Sequence, residues 1–172
     1  KQIKERKVEI EKALESSKKF ALLKDTIEHW MQKIEPLITH NLDGDPYEIN
    51  LADVKERLSE MESFKDYLPS LGNKSLTTCI TEMNQCIDEI LLNKCSLGQL
   101  GNKFDGIKYK TNQFQFKLNQ EIALTKEMIE EWQQYESKVS EVANWISECQ
   151  AKVNDESTFT LFKEKLSEKE VS

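Results

Sequence analysis

Phe20, Leu23, Ile27, Trp30, Ile34 and Leu37 follow one another at steps of three and four residues. An α-helix turns once in ~3.6 residues, so this spacing lines the six side chains along one side and leaves the other side to water. A strand would need steps of two. The same rhythm marks Leu51, Val54, Leu58, Met61, Phe64 and Leu68, then Leu76, Ile80, Met83, Ile87, Ile90 and Leu91, and again Leu97, Leu100, Phe104, Ile107, Thr111, Phe114 and Leu118. Apolar seams of this kind constrain a chain to pack helix against helix, seam to seam. Composition agrees: 5 Gly and 3 Pro in 172 residues give little turn punctuation for a sheet, while 32% charged beside 38% hydrophobic residues suits helices wet on one side.

The interruptions fold the chain back on itself. Pro36 and the cluster Asn41 to Pro46 stop the first helix. Asn50 is placed to cap the second, with Asp53 adding negative charge at the positive helix end. Leu68 to Asn73 sets Pro69 and Gly72 within one turn, which predicts a kink or short break in the second helix. Asn93 to Ser96 is a second turn with neither Gly nor Pro. After Leu118 nothing breaks a helix: Ile122, Leu124, Met128, Ile129, Trp132, Tyr135, Val139, Val142, Ile146, Cys149 and Val153 continue the pattern up to a stop at Asn154 to Ser157. The third helix is therefore expected to run on into a further one, with another helix starting near Phe159.

That further helix repeats the first. FALLKDTIEHWMQKI at 20–34 and YESKVSEVANWISEC at 135–149 align at a shift of 115, which sets Phe20 on Tyr135, Ile27 on Val142, Trp30 on Trp145, Met31 on Ile146 and Ile34 on Cys149. KEKLSE at 163–168 echoes KERLSE at 55–60. A long period built on one kind of helix is the mark of a tandem array. The expected organisation is 1–13 as the tail of a preceding unit's third helix or an extension of the first helix, 14–126 as a complete unit, and 127–172 as the first helix and start of the second helix of the next. In that last part Trp132, Val139, Trp145, Phe159, Phe162 and Leu166 have no third helix to cover them, and apolar area of that size wants a partner.

The Trp-bearing first helix, the uninterrupted passage from third helix to next first helix, and the run Leu97-xx-Leu100-xx-Lys103-Phe104-xx-Ile107 together resemble the spectrin repeat. Lys103 stands where that family has Arg, and Phe104 where it has a second Trp. With the irregularity at Pro69 and Gly72, these departures make the repeat most like the degenerate repeats of the nesprins, ahead of the plakins and dystrophin. The resemblance implies an all-α fold, a spectrin-like three-helix antiparallel coiled-coil bundle with a continuous helix into an incomplete second repeat. It implies a rod or tether in a large cytoskeletal linker protein joining nuclear envelope and actin cytoskeleton, hence a cytoplasmic, cytoskeletal setting and, through the parent protein, the outer nuclear membrane. It also implies two kinds of partner, neighbouring repeats of the same chain and a docked actin regulator such as a formin.

The expected core is Phe20, Leu23, Ile27, Trp30, Ile34, Leu58, Leu100, Phe104, Ile107, Val142, Trp145 and Ile146. A large aromatic within a heptad stripe plugs a core far more often than it contacts a ligand. The candidate partner-binding residues are Tyr67, Leu68, Pro69, Leu71 and Asn73, on the rim of the expected kink, because irregular loops on rigid rods are where partners bind.

Chemistry is not foreseen. Neither His29 nor His40 stands in a nucleophilic or metal-ligand pattern, and pairs such as Glu130-Glu131 and Asp88-Glu89 read as solvated helix surface. Gly98 to Gly101 follows no strand and lacks the lysine of a phosphate loop. Cys79 and Cys86 lie one heptad apart, ~10 Å along a helix and too far for a disulfide; with Cys95 and Cys149 they read as small hydrophobes in a reducing compartment. The Asn73-Lys74-Ser75 sequon reads as accidental in a chain without a secretory signal. The expectation is no enzyme, no cofactor and no metal. A net charge of −7 disfavours nucleic acid and anionic lipid, and no apolar run suits membrane insertion by this segment.

Overall fold

The computed structural model describes residues 1–39, 50–66 and 74–171, and among these it contains five α-helices and no strand. They are α1 (Gln2–Thr39), α2 (Leu51–Asp66), α3 (Leu76–Leu92), α4 (Leu100–Asn154) and α5 (Glu156–Val171). By density of contacts the chain divides into two compact units, Lys1–Glu127 and Met128–Ser172. α4 is one unbroken helix of 55 residues that belongs to both.

The helix ends follow from local chemistry. Asn50 caps α2, its Oδ1 accepting from the Ala52 N–H at 2.9 Å. α3 starts afresh rather than continuing α2: Ser75 is extended, at φ −70° and ψ 151°, and its Oγ accepts from the Thr78 N–H at 3.1 Å. The kink or short break expected at Pro69 and Gly72 falls in residues 67–73, which lie outside the described ones. α3 ends in a Schellman motif, with Cys95 N–H on the Ile90 carbonyl at 3.1 Å and Lys94 N–H on the Leu91 carbonyl at 2.9 Å. The motif needs a left-handed residue, and Lys94 supplies it at φ 56° where glycine is usual.

From α1 a side chain reinforces that stop. The Arg6 guanidinium donates to the Asn93 and Lys94 carbonyls at 3.0 and 3.2 Å, so a cation sits on the negative end of α3. Arg6 also pairs with Glu9 at 2.9 Å, and this hydrogen bond, helped by Lys94, holds the Glu9 carboxyl below its ordinary range.

Cross-contacts fix the direction of the helices in the first unit. Arg6 meets Asn93, Ser16 Oγ lies 2.5 Å from Glu89, and Lys19 faces Glu82 at 3.5 Å, so α3 runs antiparallel to α1. α2 does likewise, with Trp30 on Phe64 and the Arg57 guanidinium on the Leu37 carbonyl. α4 lies beside the same stretch of α1, where the Phe20 and Phe104 rings stand 6.4 Å apart and tilted by 60°.

One hydrophobic core joins these helices. α1 contributes Phe20, Leu23, Ile27, Trp30, Met31 and Ile34; α2 contributes Met61; α3 contributes Leu76, Cys79, Met83, Cys86 and Ile87; α4 contributes Phe104, Ile107, Leu118 and Ile122. Leu58 and Leu100, expected inside, are half-buried and pack against this core. Each such side chain fully removed from water stabilises the fold by about 1.5–3 kcal/mol. Among the described residues of the first unit, two counted in the seams point to solvent instead, Leu91 and Leu124. Leu91 follows Ile90 by one step, about 100° round the helix, and Leu124 follows Ile122 by two, about 200°, so in each pair only the first faces the core.

Candidate interaction surface

The surface of interest is built by the last part of α4. Met128, Trp132, Tyr135, Val139, Val142, Ile146, Cys149 and Val153 alternate at four and three residues, which places them on one side of the helix. Tyr135, Val139, Val142, Ile146 and Val153 are exposed, while Met128, Trp132 and Cys149 are half-buried. Trp145 lies on the border of this seam and is 64% exposed.

The placement of Val142, Trp145 and Ile146 corrects the expectation that they belong to a core. Their counterparts Ile27, Trp30 and Met31 are buried in a core to which α2, α3 and α4 also contribute. In the second unit the other described helix is α5, and its Leu161, Phe162 and Leu166 are themselves exposed. The pattern is the same in both units, and the neighbours are not. Trp30 keeps 3% of its surface and Trp145 keeps 64%.

Local contacts order the start of the seam. The Trp132 indole Nε1 donates to Glu136 Oε1 at 3.1 Å, and its ring meets Tyr135 at 6.3 Å between centroids, tilted by 55°. The offset, tilted geometry is the favourable one for two aromatic rings. Charged groups flank the apolar side, with Glu131 and Lys138 toward its start and Lys152 toward its end, all three exposed.

No family profile, curated protein or solved structure matches this chain.

Elsewhere the surface offers little chemistry. The candidate rim residues Tyr67, Leu68, Pro69, Leu71 and Asn73 lie outside the described residues. A shallow cleft of about 530 Å³ between α1 and α3 is lined by Lys12, Glu15, Ser16, Lys19 and Glu89, where both signs of charge alternate. Among the described residues no three His, Cys, Asp or Glu side chains converge as a metal site would require, and no helix is long and apolar enough to cross a membrane. His29 is exposed on α1. Cys79 and Cys86 are buried in the core, which raises both thiols above their ordinary value; Cys95 and Cys149 are half-buried.

Sequence reasoning missed two features. Arg6 reaches its carbonyls across 87 residues, and a single cation in a lysine-rich stretch gives no sign of that. Lys94 adopts a glycine conformation without being glycine, so the only signal for the turn was the polar run at 93–96.

Proposed function

We propose that the chain is a non-catalytic rod segment of a large cytoskeletal linker protein, cut from an array of spectrin-like repeats of the nesprin kind. Its work is to hold distance and bear tension between the nuclear envelope and the actin cytoskeleton. The observation that carries this reading is α4, a helix of 55 residues shared by two units. A helix common to neighbouring units transmits unfolding and bending from one to the next, as nearest-neighbour coupling does in other repeat proteins. The pattern shared by residues 20–34 and 135–149 supports the array, and the antiparallel course of α2 and α3 along α1 supports the spectrin-like bundle.

Met128→Pro tests the coupling, because proline in a helix interior removes a hydrogen bond and costs about 3 kcal/mol. In the unaltered chain the thermal loss of helix in 1–127 and in 128–172 should coincide. In the variant it should separate into two transitions, followed by hydrogen exchange resolved along the chain. Identical, coincident melting of both proteins would defeat the tether reading.

A second reading is favoured by the exposed apolar side of α4 from Tyr135 to Val153. A surface of this type suits a docking module that recruits a protein partner, an actin regulator such as a formin. Pulldown of such a regulator by the chain, lost with Val142→Asp, would support it.

A further inference from the structure

We infer that the outward face of α4 in the first unit is a docking site for a helix of another protein, one that carries acidic side chains at heptad spacing. The inference rests on neither functional reading above, since this face turns away from the core of the first unit and is separate from the apolar side between Tyr135 and Val153.

In the first unit α4 carries two seams. Phe104, Ile107, Thr111, Leu118 and Ile122 are buried. Half a turn round the helix, Gly106, Tyr109, Gln113, Phe116, Gln120 and Ala123 follow one another at steps of three and four, and all six are exposed and uncharged. That alternation is the spacing of a heptad seam, kept over ~26 Å of helix. Tyr109 and Phe116 are 64% and 70% exposed, and Gln113 Nε2 donates to the Tyr109 hydroxyl at 2.6 Å. The core that the unit's helices share lies on the opposite side of α4, so none of them is placed to take this face. Further units of an array would join at the ends of this one. Phe104 stands beside Phe20, and Arg57 touches both Leu37 and Glu121, so Tyr109 and Phe116 lie alongside α1 between those two levels.

The edge of the seam identifies the occupant. Lys103, Lys110 and Lys117 stand one heptad apart along it, all exposed, and among the described residues none of the three forms an ion pair. Lys126, further along the helix, is answered by Glu62 at 2.6 Å. From 103 to 120 Asp105 is the one acidic residue, in a chain whose net charge is −7. Edge charges of paired heptad helices meet the edge charges of the partner, so the complement of this row is Asp or Glu repeated every seven residues. A second copy of the chain would bring Asp105 alone against the lysines. A lipid surface asks for a broad apolar face, and this one is a narrow strip with Gln113 and Gln120 inside it.

Gly106 points the same way. Glycine weakens a helix interior, and a Cβ added at Gly106 would meet nothing within 4 Å. No neighbour in the unit requires glycine there, whereas a helix laid across this face could approach its backbone closely.

Binding of a fluorescent synthetic peptide to the 172-residue chain tests the proposal. The peptide is about three heptads long, with leucine along its seam and glutamate on both edges, so that its own charges oppose self-pairing. A control peptide has lysine in place of glutamate. The glutamate peptide should bind saturably, and the lysine peptide at least roughly tenfold more weakly. Phe116→Asp should weaken binding at least roughly 100-fold by placing a carboxylate in the seam. Lys110→Glu combined with Lys117→Glu should weaken the glutamate peptide roughly tenfold and strengthen the lysine peptide. The helix signal should stay unchanged in these variants, because all three side chains are exposed. Val142→Asp, on the apolar side in the second unit, should leave binding intact. Absence of binding at about 1 mM peptide overturns the proposal, as does equal binding of the two peptides. Binding indifferent to Phe116→Asp, or lost with Val142→Asp, overturns it as well. Capture by vesicles of about 30% phosphatidylserine in phosphatidylcholine, undiminished by the glutamate peptide, would assign the face to lipid instead.

Discussion

The indole Nε1 of Trp30 donates to the Phe64 carbonyl at 3.0 Å, joining α1 to the last turn of α2. Carbonyls in a last helical turn have no partner in their own helix, so the tryptophan fills the core and also satisfies one of these acceptors. The two roles separate by substitution. Trp30→Phe keeps most of the packing and loses the hydrogen bond, and should cost about 1–2 kcal/mol in urea unfolding. Trp30→Ala also opens a cavity and should cost about 3–5 kcal/mol. Equal losses for the two variants would show that the hydrogen bond, and not the ring volume, dominates.

The thiols should fall into two classes. Cys79 and Cys86 are buried, and burial raises their thiols, so little thiolate is present and no reagent reaches it. Cys95 and Cys149 are half-buried. In the native protein an alkylating reagent should modify Cys95 and Cys149 first, with Cys79 and Cys86 reacting only at the rate of unfolding. Mass spectrometry of the labelled chain reads the order directly, and early modification of Cys86 would contradict the packing of α3 against α1.

Much of the fold was legible because helical spacing reports which side of a helix is apolar. Phe20, Ile27 and Ile34 are buried as their spacing predicts, and Asn50 caps α2 as its side chain predicts. Spacing does not report whether a neighbour is present to use that side. Trp30 and Trp145 occupy the same place in the same pattern, yet one is buried in a core shared by four helices and the other faces solvent. The stop after α3 was legible only as a polar run, because its geometry depends on Lys94 adopting a conformation that lysine rarely takes and on a guanidinium from the far end of α1. The candidate surface followed the same rule: its residues were evident, its exposure was a matter of tertiary context.

Thr111 should be a site of gain. It is buried at a seam position of α4, and its hydroxyl has no hydrogen-bond partner. An orphan hydroxyl in an apolar core costs about 1–3 kcal/mol, and valine has nearly the same shape. Thr111→Val should therefore stabilise the first unit by about 1 kcal/mol, seen as a higher urea midpoint with an unchanged slope. A loss of stability would mean that the hydroxyl is satisfied in solution.

Glu82 gives the first unit a pH-dependent contribution whose sign follows from its surroundings. Its Oε1 accepts from Lys74 Nζ at 2.7 Å, and its Oε2 faces Lys19 Nζ at 3.5 Å, so the carboxylate bridges the start of α3 to α1. The hydrogen bond from Lys74 is the main cause that holds the carboxyl below its ordinary value of 4.5, opposed by burial and aided by the charges of Lys74 and Lys19. A carboxyl whose folded value is depressed stabilises the fold above its unfolded value, and that stabilisation is lost as pH falls through the folded value. Glu82→Gln should thus cost something under about 1 kcal/mol at pH 7, since ion pairs near the surface are screened. The difference between variant and parent should shrink once pH drops below 4.5 and vanish when Glu82 is protonated in both states. Urea midpoints of the two proteins along a pH series provide the measurement, and a difference that grows on acidification would reverse the sign and remove Glu82 as the bridging anion.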